Sequence, residues 1–219
     1  MSYVTHADLG GQAGHGAVMP EPEGTPFHAA WEARALALTL AMGATGSWNI
    51  DMSRAARETL PDYASLSYFQ IWLAALEKLV EERGLASADE IASGRMQQPA
   101  GQVARVLAAG DVAAALARGS PTERPAPAPA RFACGDPVRM RSEMADHHTR
   151  LPAYVRGRTG VVERVHGAHV FADAHALGLG ERPQWLYGVR FDEAELWPGR
   201  LPQRAAVTVD AWEPYLEAP

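Results

Sequence analysis

Ser120-Pro121-Thr122-Glu123-Arg124-Pro125-Ala126-Pro127-Ala128-Pro129-Ala130 separates two unlike halves of this chain. Proline has no N–H and a fixed φ, so a run of four such residues forbids helix and favours stretched polyproline backbone. Before it, apolar residues recur at helical spacing in alanine-rich segments; after it, short runs rich in β-branched and aromatic residues alternate with Gly, Pro and Asp. The two patterns together predict an α+β protein. Its expected parts are an extended partner-wrapping arm over 1–25, a helical domain over 26–118, a Pro/Ala linker over 119–131, and a small, partly open SH3-like β-barrel over 132–219.

In the first half, the arm carries Gly10-Gly11, Gly14, Gly16 and Pro20-Glu21-Pro22 and almost nothing that could build a core. A first helix follows Pro26, with Trp31, Leu36, Leu38, Leu40 and Met42 in its run and Gly43 as its stop. A second starts at Asn49 or Asp51, either a competent N-cap, and ends before Pro61. The third runs from about Ser67 to Arg83 and stops at Gly84. Tyr68, Trp72, Leu76 and Val80 form one stripe on it while Phe69, Leu73 and Leu79 widen that stripe, so burial on two sides is expected. Ser87-Ala88-Asp89-Glu90 is a capping box for a short fourth helix, and Gln102 to Arg118 reads as one or two further helices.

In the second half, strand signals cover Phe132 to Arg141, Gly160 to Val165, His169 to Phe171, Leu186 to Phe191 and Ala205 to Asp210. The stretch His148-Thr149-Arg150-Leu151-Pro152-Ala153-Tyr154-Val155-Arg156-Gly157-Arg158-Thr159-Gly160 holds three arginines and no carboxylate. Guanidinium is planar, always charged and suited to bidentate pairing, so the strip suggests that an oxyanion on another molecule is held there.

Composition narrows the function. The 219 residues carry a formal net charge of −6, and Lys78 is the sole lysine, which argues against general nucleic-acid binding. No apolar run reaches the roughly 20 residues of a membrane helix. Met1 to Pro20 has neither a basic nor an apolar signal region, which leaves a cytoplasmic location as the default expectation. Cys134, the single cysteine, is expected to be a buried small hydrophobe near Phe132 and cannot complete a cysteine metal cage. Phosphate-binding glycine loops, a Gly-x-Ser-x-Gly elbow and a His-Glu-x-x-His helix are all missing. His166 and His169 flank Gly167 in what reads as a solvated hairpin, and Asp173 and His175 fall in a loop without a motif. By its own residues the chain does not look like an enzyme.

The order of features nevertheless resembles one family across nearly the whole chain, the β subunit of nitrile hydratase. The resemblance is carried by the Gly-rich arm, Pro26-Phe27-His28-Ala29-Ala30-Trp31-Glu32, Trp48-Asn49-Ile50-Asp51-Met52-Ser53-Arg54 and Leu66-Ser67-Tyr68-Phe69-Gln70-Ile71-Trp72-Leu73. In the second half it rests on His148 to Gly157, on Gly178-Leu179-Gly180-Glu181-Arg182-Pro183-Gln184-Trp185-Leu186-Tyr187 and on Glu195-Leu196-Trp197. It implies a lyase that hydrates nitriles to amides as an obligate heterodimer with an α subunit, or as a heterotetramer built from two such pairs. The resemblance also places a non-corrin cobalt(III) ion, favoured here over non-haem iron(III), in that α subunit, on cysteines two of which are oxidised. This chain would bind no cofactor, nucleic acid or membrane, and would be inactive alone.

By motif position the resemblance assigns Arg54 and Arg150 to the oxidised cysteines of the partner, and Tyr68, Phe69 and Trp72 to the substrate-pocket wall. Phe69 and His147 depart from the family pattern, which often has a second tyrosine and a glycine there. The plain alternative for Arg54 is a surface pair with Glu58 at i, i+4; for the aromatics it is ordinary core. Arg156 and Arg158 are explained by a hairpin entry. Two other functions compete: an RNA-binding or ribosome-associated barrel, suggested by Arg156-Gly157-Arg158-Thr159-Gly160-Val161-Val162-Glu163-Arg164-Val165, and an assembly or activator protein for nitrile hydratase.

Overall fold

The computed structural model describes residues 3–199 and 205–219; Met1 and Ser2 of the expected arm and 200–204 of the expected barrel lie outside them. The chain divides into two compact units, Val4–Gly119 and, together with Tyr3, Ser120–Pro219.

The first unit begins with an exposed segment without regular structure, tied down where the His6 amide donates to the Glu58 carbonyl at 2.7 Å. Five helices follow: α1 (Ala30–Ala44), α2 (Ile50–Glu58), α3 (Tyr68–Glu82), α4 (Ala88–Ser93) and α5 (Val112–Arg118). Helix α1 passes through Gly43 and ends only before Gly46, whose φ of +80° suits glycine. Its start is fixed from within: the buried Glu32 carboxylate accepts from the His28 and Ala29 amides, at 2.5 and 3.3 Å. Asn49, not Asp51, caps α2, its side-chain oxygen accepting from the Asp51 and Met52 amides. Helix α3 closes as a Schellman motif, with Leu85 N–H on the Val80 carbonyl, Gly84 N–H on that of Glu81, and Gly84 at φ +63°.

The core of this unit joins Trp48, Ala56, Ala75, Leu76 and Leu79, with Leu85 packed against them. Helix α3 packs against both α1 and α2 and is buried along Phe69, Ala75, Leu76 and Leu79, in keeping with the expected burial on two sides, while Tyr68 at its start is 64 % exposed. The expected helix over 102–118 is shortened. Only Val112–Arg118 is α-helical, after a 3-10 turn at Ala109–Asp111.

The second unit is an antiparallel sheet with short helical insertions: β1 (Glu123–Arg124), β2 (Pro137–Met140), β3 (Thr159–His169), α6 (Ala172–Ala176), β4 (Gln184–Asp192), α7 (Glu193–Leu196), β5 (Ala206–Trp212) and β6 (Leu216–Glu217). The order is β5-β4-β3-β2-β6, with β1 on β3, and this path of paired strands is open. Strand β1 falls inside the expected linker. Its Glu123 and Arg124 pair with His169 and Ala168, and Arg124 is held bidentately by Glu181 at 2.6 and 2.7 Å.

The strand signalled over Gly160 to Val165 runs on without a break to His169, while Val170 and Phe171 of the second signal lie beyond its end. Gly167, at φ +109°, is part of a bulge in β3 rather than a hairpin turn. Alternate residues of the central strands point inward, so Val138, Met140, Val162, Tyr187, Val189 and Phe191 are sealed into one core. Cys134 is exposed, contrary to expectation; Phe132 packs into the core while the thiol only approaches the Glu163 carbonyl, at 3.5 Å.

Candidate functional site

The helical unit presents Arg54, Arg57, Glu58, Tyr63, Tyr68, Ile71 and Trp72 around a recess of about 130 Å³. Arg54 sits one turn into α2 because Asn49 is the cap. Its guanidinium bonds Asp51 at 2.9 Å (i, i+3) instead of pairing with Glu58. Asp51 is buried and needs that cation, since an uncompensated buried carboxylate is costly. A guanidinium has five N–H donors, so a side chain 44 % exposed that spends one on Asp51 can still bind an outside anion.

Arg57 is the residue that sequence reasoning missed. It lies three positions after Arg54 on the same helix, bonds the Ser53 hydroxyl at 2.8 Å, and places its guanidinium 4.4 Å from the Trp72 ring centroid. Burial lowers its pKa and the charge of Arg54 lowers it further, yet guanidinium stays cationic at any ordinary pH. The i, i+3 spacing was a visible signal; the aromatic partner was not.

Tyr68, Phe69 and Trp72 do come together: their ring centroids are 5.2 Å (Tyr68–Phe69), 5.5 Å (Tyr68–Trp72) and 6.2 Å (Phe69–Trp72) apart. Phe69 is buried and packs against Phe27 with the rings tilted by 42°, whereas Tyr68 and Trp72 form the accessible wall of the recess. A rim of guanidinium beside an aromatic wall can hold an oxyanion and, next to it, an apolar group.

Arg150 belongs to the sheet unit, in the long connection between β2 and β3, and its side chain is exposed. Its backbone is held firmly. The Arg150 amide donates to the Tyr215 hydroxyl at 3.0 Å, and Tyr215 in turn donates to the buried Asp173 carboxylate of α6. Arg156 turns inward, giving a hydrogen bond to the Leu151 carbonyl at 3.0 Å, which leaves the basic strip with less outward charge than the sequence suggests.

Among the described residues no group of three or more His, Cys, Asp or Glu side chains is placed to hold a metal ion. His166 contacts Asp210 at 2.9 Å and His169 contacts Thr122 at 3.0 Å, on separate partners. No described helix is long and apolar enough to cross a membrane.

Residues 3–123 match the family profile for the nitrile hydratase beta subunit, N-terminal, and residues 121–218 that for its C-terminal part. The low-molecular weight cobalt-containing nitrile hydratase subunit beta of Rhodococcus rhodochrous is 37 % identical over 95 % of this chain and 96 % of its own. The cobalt-containing nitrile hydratase subunit beta of Pseudonocardia thermophila is 31 % identical over 96 % of this chain and 94 % of its own. Among solved structures, the thiocyanate hydrolase apo-enzyme of Thiobacillus thioparus matches 44 % of this chain and 82 % of that one, at 28 % identity and a TM-score of 0.41.

Proposed function

Since the chain belongs to the nitrile hydratase β-subunit family, we propose that it acts with an α subunit that carries the metal, cobalt in preference to iron, and contributes charge and shape to that partner's site. The observation that carries this reading is the pair of family matches, which together span residues 3–218. The cobalt-containing relatives support the choice of metal.

In this reading Arg54 and Arg150 each hold oxygens of oxidised cysteines on the partner. Such oxyanions, buried at a subunit interface, are costly unless a fixed cation satisfies them, and guanidinium can take two oxygens at once. Asp51 sets the Arg54 side chain and Arg57 adds a second positive charge beside it. Tyr68, Phe69 and Trp72 shape an apolar wall that orients the nitrile and keeps bulk water out. The metal, when bound in the complex, supplies Lewis acidity; this chain's residues neutralise, position and shield.

The finer architecture belongs to the same reading: an SH3-like sheet domain over 132–219, a helical domain over 26–118, a linker over 119–131 and an N-terminal arm wrapped on the partner. The complex is a cytoplasmic heterodimer, or a pair of them, and the chain is inactive alone. Co-expression with the α subunit, followed by purification, metal analysis and an assay of nitrile hydration, tests it. A stoichiometric, metal-bearing, active complex is expected, with no activity from this chain purified by itself. Failure to form a lasting complex overturns the subunit reading.

A further inference from the structure

We propose that Tyr215, oriented by Asp173, is a positioning residue that fixes the backbone of Arg150 for its contact with the partner's oxyanion. The inference rests on the reading of Arg150 given above and adds to it the part of the fold that sets where that arginine starts.

Tyr215 ends the 3-10 turn Glu213–Tyr215 between β5 and β6, and its ring is wedged against Phe171 at 5.8 Å and Trp212 at 6.1 Å. The phenol oxygen accepts the Arg150 amide at 3.0 Å, has Thr149 Oγ1 at 3.2 Å, and donates its own proton to Asp173 Oδ1. Its one proton and its acceptor sites are therefore all engaged by a single short stretch of chain and a single carboxylate. The single Thr149 hydroxyl proton is shared between the phenol oxygen and the Asp173 carboxylate, and His147 Nδ1 lies 3.9 Å from Asp173 Oδ2. Asp173 and Tyr215 are both about 95 % buried.

Such an arrangement is more than packing requires. Tyrosine without its hydroxyl, that is phenylalanine, would fill the same space between Phe171 and Trp212, and an apolar residue at 173 would avoid burying a carboxylate. What the polar pair supplies is a fixed acceptor for one backbone amide, that of Arg150. Burial, followed by the neighbouring carboxylate, pushes the Tyr215 hydroxyl far above its ordinary range, so the proton that bonds Asp173 stays in place. Leu151, the next residue, is buried, and its carbonyl takes the Arg156 guanidinium, so Arg150 is clamped on both sides while its side chain stays outside. A side chain anchored at its Cα reaches a charge on a partner with less conformational freedom to lose.

The test compares Tyr215→Phe, Asp173→Asn and Arg150→Lys in the purified complex with the α subunit, by amide hydrogen exchange over 148–152 and by kcat and KM for a nitrile. Tyr215→Phe is expected to raise exchange at the Arg150 amide about tenfold and to lower kcat by a similar factor with KM little changed, the effect of one lost hydrogen bond. Asp173→Asn, which keeps an acceptor, should shift both readouts in the same direction by less. Added to Arg150→Lys, Tyr215→Phe should cost little further turnover, because both act through one contact. Unchanged exchange in Tyr215→Phe overturns the proposal, as does faster exchange with unchanged kcat in a series where Arg150→Lys is impaired. If Arg150→Lys itself keeps full turnover, the oxyanion reading fails and this proposal with it; the Arg150→Lys arm thus tells the two failures apart. Should Tyr215→Phe not assemble, Asp173→Asn carries the same pair of readouts.

Discussion

The guanidinium of Arg57 lies over the ring of Trp72, 4.4 Å from its centroid, and joins α2 to the accessible face of α3. The same guanidinium bonds Ser53, so its plane is set from its own helix before it meets the ring. Two faces that the sequence presents separately are thereby made into one wall.

Replacing Arg57 by lysine keeps the charge and loses the planar stack and the Ser53 bond. A loss of about 1 kcal/mol is expected, the worth of a partly desolvated cation–π contact. Urea denaturation of the complex, followed by tryptophan emission, should show a lower midpoint; an unchanged midpoint would count against the stack as a stabilising contact.

Arg54→Lys is expected to lower turnover about tenfold or more, with the complex assembled and its metal content intact, since one charge-assisted contact is removed from a preorganised site. Stability should suffer less, because an ammonium can still answer Asp51. Full turnover in a metal-replete variant would sink the oxyanion role.

Glu90 accepts from the amides of Ser87, Gln97 and Gln98 at 2.8, 2.7 and 3.0 Å, and these bonds to the ionised form hold its carboxyl down at about 2. A folded-state value below the unfolded one means stabilisation that is complete above the ordinary glutamate range and is lost as pH falls towards 2. NMR titration of the three amides should move together with a midpoint near that value. Glu90→Gln should abolish the movement; a midpoint at an ordinary glutamate pH would refute the assignment.

Two glycines should respond to alanine with opposite signs. At Gly160 an added Cβ would stand 2.8 Å from the Arg190 carbonyl and 2.8 Å from Val189 Cγ1, so Gly160→Ala is expected to cost about 1–3 kcal/mol through overpacking. At Gly43, inside α1, nothing lies within 4 Å, and Gly43→Ala should stabilise by about 0.5–1 kcal/mol. Thermal melts of both variants decide the matter. Equal shifts would show that neither contact nor backbone freedom governs these positions.

Much of the site was legible because its signals are local. Tyr68, Phe69 and Trp72 share one turn of one helix, so their clustering follows from spacing alone, and Asn49 was one of two caps already offered by the sequence. Where the sequence alone was not enough, packing decided. The contact of Arg54 with Asp51, and the burial of that carboxylate, were set by the packing of α2. The Gly167 hairpin became a bulge because Leu186 and Trp185 of β4 hold the strand straight through it. Segment 102–108 stayed irregular although Val103, Val106 and Leu107 stand at helical spacing, because Val106 finds no core and is 84 % exposed, and a short helix without a packed face is marginal in water.

The sequence by itself determined the α+β division, the helical and extended patterns on either side of the proline run, and the family whose profiles span the chain. Backbone propensity and periodicity act over a few residues, and motif order is written directly in the chain. Only the tertiary structure decided that Asp173 and Tyr215, 42 residues apart, would meet beneath Arg150, and that Arg57 would cover Trp72. Contacts of that kind depend on the burial of whole elements, which makes a polar pair worth forming at one place and leaves the same residue types solvated elsewhere.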